Sequence, residues 1–346
     1  MKYDTCLITG GTGTFGTAYT LDAIKSQWHK KIIIYSRDEY KQIKMFNFLN
    51  TIFKDEKVID GFPPYSVKIG TTDIRFFIGD VCDQERLNIA LRGVDLVLHA
   101  AALKHVPICE YNPMEAIKIN VGGTTNVVNC CGNNNVKKLI ALSTDKAVDP
   151  INIYGATKLS LEKVVLGGNM YYPDTRMSVV RYGNIIGSRG SIIHKLMSRD
   201  LETIGITDPE MTRFWLTIEE AVQLVRKASD SDRRNTIFVP KLKSFRLDTL
   251  FQCLRPDLEV NIIGPRQGEK THEKMMSDED FKRSFFDKNL ECYTLNFDNE
   301  SKNSGGSVWE HDSYTSDAVE EFTDDEFKLK LKESIINKIY NIGYMR

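Results

Sequence analysis

Through the first half of the chain, short apolar runs alternate with longer amphipathic stretches. The segments TCLIT (5–9), KIIIY (31–35), IRFFI (74–78), VDLVLH (94–99), VKKLIAL (136–142) and SVVRY (178–182) read as buried strands. Helical patterns lie between most of them, at 15–26, 83–92, 113–132 and 154–166. This alternation predicts an α/β fold built on a doubly wound parallel sheet. Residues 54–72, KDEKVIDGFPPYSVKIGTT, break the rhythm with Pro63, Pro64 and glycines, and read as an insertion or loop. Beyond residue 183 the alternation weakens, although TIFVP (236–240) looks like one more strand of the sheet. Residues 1–182 and about 213–242 are therefore expected to form the sheet domain, with about 183–212 and 243–346 forming a smaller substrate-binding domain. Within the latter, the polar, glycine-containing stretch 298–321 reads as an irregular surface arm.

Composition narrows the class of ligand. The chain has 346 residues, a net charge of −1 and 27% charged residues. No basic field favours nucleic acid or an anionic membrane, so a small polar ligand is the better expectation. No apolar run approaches the roughly 18–20 residues of a spanning helix. The N-terminal MKYDTCLITGG enters a strand pattern at once, so a soluble, cytoplasmic protein without a signal peptide is expected. The cysteines at 6, 82, 109, 130, 131, 253 and 292 show no CxxC or metal-ligand spacing, and no metal site is expected.

Candidate chemistry begins directly after the first strand. CLITGGTGTFG places Gly10, Gly13 and Gly16, with Thr12, Thr14 and Phe15 between them, where a strand passes into a helix. Glycines there let the backbone approach a pyrophosphate, whose charge meets the helix N-terminus. The second strand ends IIIYSRDE. An acid at its tip, roughly 20 residues on, would hold the ribose hydroxyls of NAD. This tip instead carries Ser36 and Arg37, a hydroxyl and a guanidinium suited to a 2′-phosphate, so NADP is expected over NAD. In GDV (79–81), Asp80 could accept from the adenine amino group or cap the following helix; Val81 adjoins it. The small residues Ala100, Ala101 and Ala102 after the fourth strand let a dinucleotide lie against the backbone.

The stretch LSTDKAVDPINIYGATK (142–158) carries the reactive groups. The carboxyl end of its strand should share the ligand edge of the sheet with the glycine loop. Tyr154 and Lys158 lie one helical turn apart on one face. A tyrosine of ordinary pKa about 10 is a poor base at neutral pH, and a nearby ammonium lowers it. Lys158 is expected to do this and to hold the nicotinamide ribose. Tyr154 would take the proton from a substrate hydroxyl as hydride leaves its carbon, and Thr144 would orient that hydroxyl. Asp145 and Lys146 exceed what a plain dehydrogenase needs.

With these motifs in place, a family resemblance is evident. The chain resembles an extended short-chain dehydrogenase/reductase. Its TGGTGTFG, YSRDEYKQ, FFIGDVCD, HAAALKHVP, STDKAVDPINIYGATK, RYGNIIGSRGS, MTRFW and GPRQGEKTHE resemble the inverting UDP-N-acetylglucosamine 4,6-dehydratases, in order, from residue 1 to about 280. The resemblance implies a Rossmann-type sheet domain and oxidation of the sugar at C4. The resulting ketone acidifies the C5 proton, C6 loses its hydroxyl as water, and the hydride returns to C6. It assigns proton donation at C6 to Asp145 and the C5 chemistry to Lys146, where retaining sugar dehydratases carry glutamate. Burial is expected to keep Asp145 protonated and Lys146 neutral. The resemblance also places Asn184, Arg189 and Arg266 around the nucleotide diphosphate and Glu269 at the ribose. Arg213 and Lys104 are further candidates for sugar or phosphate.

The expected substrate is UDP-N-acetylglucosamine, and a homo-oligomer is expected. Two alternatives stand beside this reading. A nucleotide-sugar 4-epimerase would use the same cofactor, Tyr154 and Lys158, but has no need of Asp145 and Lys146. A non-catalytic NADP-binding sensor would have little use for Thr144, Tyr154 and Lys158 together.

Overall fold

The computed structural model describes residues 2–54, 59–61, 66–185, 196, 203–264, 266–297 and 313–332. In chain order its strands are β1 (Thr5–Thr9), β2 (Lys31–Ser36), β3 (Ile59–Gly61), β4 (Ser66–Ile69), β5 (Thr72–Ile78), β6 (Leu96–His99), β7 (Lys138–Thr144), β8 (Arg176–Tyr182), β9 (Asn184–Ile185), β10 (Thr203–Ile206), β11 (Thr212–Leu216), β12 (Thr236–Pro240), β13 (Ser244–Arg246), β14 (Glu259–Ile262), β15 (Lys274–Met276), β16 (Ser284–Asp287), β17 (Cys292–Asn296) and β18 (Tyr314–Thr315). The helices are α1 (Thr14–Lys25), α2 (Glu39–Ile52), α3 (Gln84–Ala90), α4 (Val106–Tyr111), α5 (Pro113–Ile117), α6 (Gly123–Asn133), α7 (Ile153–Tyr171), α8 (Ile218–Asp230), α9 (Leu247–Leu254) and α10 (Asp278–Lys282).

The main sheet runs β16-β17-β12-β8-β7-β6-β1-β2-β5-β4-β3. From β12 through β5 every pair is parallel. Strands covered by helices on both faces bury both sets of side chains, which is why they appear as unbroken apolar runs. Every residue of β7 is buried, and β1, β2 and β6 are nearly so. The chain order reverses at β1, with β2 on one side and β6 on the other. A ligand crevice belongs at the carboxyl ends of those strands. The expected doubly wound sheet is thus present.

Two regions depart from the expectations. Residues 54–72 read as an insertion or loop; among the described residues they are not a loop, since β4 and the start of β5 form an antiparallel pair closed by Gly70 at φ +55°. The alternation of buried Val67, exposed Lys68 and buried Ile69 is a strand signal, short and masked by the neighbouring prolines. In the C-terminal half, β17 pairs antiparallel with β12 and β16 with β17, so the chain returns to the main sheet after residue 283. The long helical pattern at 113–132 is divided by a π-helical turn at Lys118–Gly122. The polar arm at 298–321 lies outside the described residues as far as residue 312.

A second core, separate from the sheet's own, gathers Trp215, Phe245, Leu250, Phe251 and Phe327. Trp215 lies 4.4 Å from Phe327 and 4.7 Å from Phe245 by ring centroids. It sits under β10, β11, β13 and α9, elements that lie beyond the carboxyl ends of the parallel strands.

A buried ion network ties this half to the sheet. Arg181 on β8 donates to Glu162 of α7 at 2.9 and 2.7 Å, to Asp280 of α10 at 2.8 Å and to the Met275 carbonyl at 2.8 Å. Ser143 of β7 donates to the same Glu162 at 2.6 Å. Removing one partner strands a buried charge, so Glu162→Ala is expected to cost about 3–5 kcal/mol. Urea unfolding of the two proteins measures this, and a loss below about 1 kcal/mol, the level of an exposed pair, would contradict it.

Candidate active site

The carboxyl ends of β1, β2, β6 and β7 open into one cleft of ≈ 860 Å³. Gly10, Thr12, Gly13, Thr14, Phe15 and Gly16 form its floor at the start of α1. Gly10 has φ +64°, and a Cβ there would lie 3.0 Å from the Ala101 backbone, so only glycine lets β1 and the end of β6 meet. No side chain caps α1, whose N-cap is Gly13. A tight backbone cradle and an uncapped helix start fit the pyrophosphate of a dinucleotide. Ala100, Ala101, Ala102, Asp80 and Val81 complete that wall, with Ser36 and Arg37 at the far end. Thr9 braces it, accepting from the backbone N–H groups of Ala100 and Ala101 at 3.1 and 3.2 Å.

The helix caps in this wall are defined. Asp83, rather than Asp80, caps α3. Asp80 accepts from the Cys82 N–H at 2.9 Å, and its other oxygen lies 3.5 Å from the Arg37 guanidinium. Asp38, the first acid past β2, caps α2 by accepting from the Lys41 N–H at 3.0 Å.

At the other end of the cleft stand Thr144, Lys146, Tyr154 and Lys158. Asn152 sets the start of α7: its side chain accepts from the Gly155 N–H at 2.8 Å and donates to the Gly268 carbonyl at 2.7 Å. Asn120, in the π-turn, bonds both Leu103 backbone groups and the Thr157 hydroxyl, locking α7 against the end of β6. A π-turn of this kind re-aims side chains near functional sites.

The electrostatics differ from the expectation in two respects. Lys146 is not neutral. Burial works against its charge, but Asp145 at 3.0 Å and Glu273 at 3.1 Å outweigh burial and hold the ammonium well above the usual lysine range. Lys158 is not among the leading influences on Tyr154. Its ammonium is turned to the Leu142 carbonyl, and burial brings it down to about 8. Burial pushes Tyr154 up to about 12, opposed by Lys146 and by a hydrogen bond with Thr144. Asp145 behaves as expected: burial raises its carboxyl, against the pull of Lys146.

Among the described residues, Asp145 does not line the cleft. It lies behind the wall, accepting from the Thr144 hydroxyl at 2.8 Å and from Lys146. Asn184, Arg213, Arg266, Glu269 and Lys104 do line it. Asn184 Oδ1 accepts from Lys146 at 3.3 Å. Arg213 is buried, donating to the Thr212 and Thr271 carbonyls at 2.8 Å each, with Glu269 3.5 Å away. Thr207 donates to the other Glu269 oxygen at 2.9 Å. Arg189 lies outside the described residues. Glu273, in the quoted GPRQGEKTHE stretch but singled out by no spacing, is the residue that sequence reasoning missed. No described helix is long and apolar enough to cross a membrane.

The model of a family described as polysaccharide biosynthesis protein matches residues 6–293. The chain belongs to this family. Among relatives of the family, a UDP-N-acetylglucosamine 4,6-dehydratase (inverting) of Campylobacter jejuni is 46% identical over 279 residues, 79% of this chain and 78% of that one. A UDP-glucose 4-epimerase of Rickettsia prowazekii is 39% identical over 81% of this chain and 80% of its own. The solved structure of Pen from Bacillus thuringiensis is 28% identical, with a TM-score of 0.82 over 96% of this chain and 98% of that chain. More distant structures of the fold, 16–19% identical, hold NAD. The resemblance to the inverting dehydratases and the Rossmann-type fold are both borne out.

The start of α7 offers a direct check on the geometry. A Cβ on Gly155 would lie 2.1 Å from the Lys146 carbonyl oxygen. Gly155→Ala must push the Asp145–Lys146 turn away from α7, and an overpacking cost of about 1–3 kcal/mol is expected. Thermal unfolding together with turnover measures it; wild-type values in both would contradict the packing described.

Proposed function

We propose that this protein is a C5-inverting UDP-N-acetylglucosamine 4,6-dehydratase, a hydro-lyase. It yields a UDP-2-acetamido-2,6-dideoxy-hexos-4-ulose. The observation that carries the reading is the Asp145–Lys146 pair placed at the end of β7 beside Tyr154, together with the 46% identity to an inverting dehydratase. The epimerase relatives keep a second reading in view, at lower identity.

A nicotinamide held along Gly10–Gly16 and Lys158 would supply the hydride acceptor for C4 and the hydride donor for C6. Tyr154, steered by Thr144, takes the proton of the C4 hydroxyl in its own deprotonated form, which Lys146 and the Thr144 hydrogen bond favour and burial opposes. The ketone so formed acidifies C5. Lys146 on the cleft wall handles the C5 proton. Held as an ammonium, it reaches the neutral form of a base by passing a proton to Glu273, 3.1 Å away. Asp145, kept protonated by burial, supplies the C6 hydroxyl with the proton it needs to leave as water. Asp145 reaches the cleft through the Thr144 hydroxyl.

NADP fits this cleft better than NAD. The Arg37 guanidinium is exposed at the adenosine end, while the nearest acid on β2's exit, Asp38, is engaged in capping α2. Asn184, Arg266 and Lys104 line the cleft and suit the diphosphate and sugar, Arg189 joins them by resemblance alone, and the Arg213–Glu269 pair suits the nucleoside. Exposed Tyr111 and Met114, close in the chain on α4 and α5, support assembly as a homo-oligomer. The buried thiols of Cys6, Cys109, Cys131 and Cys292, raised by burial, suit the reducing cytoplasm.

Incubation with UDP-N-acetylglucosamine is expected to give a product lighter by one water. Unchanged mass with cofactor bound would overturn the dehydratase reading and leave the epimerase or sensor. Lys146→Ala should keep cofactor and sugar binding and lose dehydration by about 10²–10⁴-fold. Arg37→Ala should raise the KM for NADP while leaving that for NAD nearly unchanged; equal effects on both would count against NADP.

A further inference from the structure

At the closed end of the cleft, two carboxylates meet one ammonium. Lys146 Nζ lies 3.0 Å from Asp145 Oδ1 and 3.1 Å from Glu273 Oε1. Glu273 stands immediately before β15 and is 3% exposed; Asp145 is fully buried. Among the described residues, neither Asp145 Oδ2 nor Glu273 Oε2 has a hydrogen-bond partner, and neither residue lines the cleft. Asp145 reaches it through the Thr144 hydroxyl and Glu273 through Lys146, so Glu273 can act on substrate only by way of its neighbours.

The arrangement poses a problem of charge. The acid at C6 must keep its proton, yet an ammonium 3.0 Å away favours the carboxylate. With Asp145 as the sole counterion of Lys146, the pair would ionise and the acid would be lost. With a second carboxylate, only one need ionise, and the surroundings decide which. Glu273 is faced by Lys146, by Arg213 of β11 and by Lys270. Asp145 is faced by Lys146, by the negative charge of Glu273, by Tyr154, and at longer range by Lys270. The cations therefore gather on Glu273.

We propose that Glu273 is a positioning residue of the elimination: as the ionised counterion of Lys146, it leaves Asp145 neutral and able to give its proton to the C6 hydroxyl. This rests on the dehydratase reading above. Burial disfavours the ionised form of both carboxyls, but Lys146 and Arg213 outweigh it at Glu273 and hold that group below the ordinary glutamate range. At Asp145 burial and the charge of Glu273 prevail over Lys146. In the step itself Lys146 first passes one proton to Glu273; the C5–H bond then breaks, its proton passes to the amine so freed, and its electrons form the C5=C6 bond. The Asp145 proton joins the C6 hydroxyl, and the C6–O bond breaks to release water. The proton taken by Tyr154 from the C4 hydroxyl balances the one Asp145 gives. As pH rises, the rate falls when Asp145 loses its proton. Removing the negative charge of Glu273 brings that fall to lower pH.

The test measures dehydration of UDP-N-acetylglucosamine against pH by the full chain with its cofactor, in wild type, Glu273→Gln and Glu273→Asp. Glu273→Gln is expected to lose activity at a pH about one unit lower, about tenfold slower where the wild type is still on its plateau. C4 oxidation, read as reduced-nicotinamide absorbance, persists in it, and Glu273→Asp restores the wild-type profile. Profiles that superimpose after scaling, a Glu273→Asp that behaves as Glu273→Gln, or loss of C4 oxidation along with dehydration would overturn the proposal. Should Glu273→Gln not fold, infrared difference spectra of wild type against Asp145→Asn decide. A protonated-carboxyl band from Asp145 is expected, and its absence overturns the proposal. A wild type that releases no water overturns the dehydratase reading itself, whereas an active wild type with superimposable profiles removes only the role of Glu273.

Discussion

The Lys146 ammonium, held between two buried carboxylates, is the interaction around which the site is arranged. Taking three ionisable groups out of water costs several kcal/mol per ion, and only close mutual pairing offsets it. That pairing draws together parts of the chain far apart in sequence. Asp145 and Lys146 end β7, Glu273 precedes β15, and Arg213 and Asn184 come from β11 and β9. The cluster therefore forms only when the C-terminal half has closed over the sheet. Acid–base chemistry and closure of the fold depend on the same contacts.

The rest of the scaffold serves that closure. Arg181 joins β8, α7 and α10 through Glu162 and Asp280, while Ser143 brings β7 to the same carboxylate. Asn152 carries the tie further, from the first turn of α7 to Gly268. Through Arg181–Asp280 and Asn152–Gly268, elements bearing or bracing the reactive side chains are joined to the segment after residue 260 that bears Glu269 and Glu273. The dinucleotide end needs less of this. It is made of backbone approach at Gly10 and an uncapped helix start, both local to the β1–α1 turn.

This contrast explains what could be read from the sequence. The parallel strands were legible because double-sided burial makes them continuous apolar runs, and the glycine loop because its demands are local. Tyr154 and Lys158 were legible as a helical pair. The β4–β5 hairpin was hidden by its shortness, and β16 and β17 by their place after a polar, irregular stretch. Glu273 could not be found from spacing, because its partner is distant in sequence and meets it only through tertiary packing. The charge of Lys146 was misread for the same reason. Desolvation alone would neutralise it; Asp145 and Glu273 together reverse the balance, and Glu273 comes from outside the motif.

The family contains dehydratase and epimerase relatives of this chain, and what separates them chemically is work at C5 and C6. The most direct measurement is proton NMR of the sugar product formed from UDP-N-acetylglucosamine in deuterated water. The account predicts a 4-keto-6-deoxy sugar with the C4 hydrogen carried to C6, deuterium at C5, and inverted configuration there. A product that keeps its C5 hydrogen and its C6 hydroxyl, changed only at C4, would contradict it.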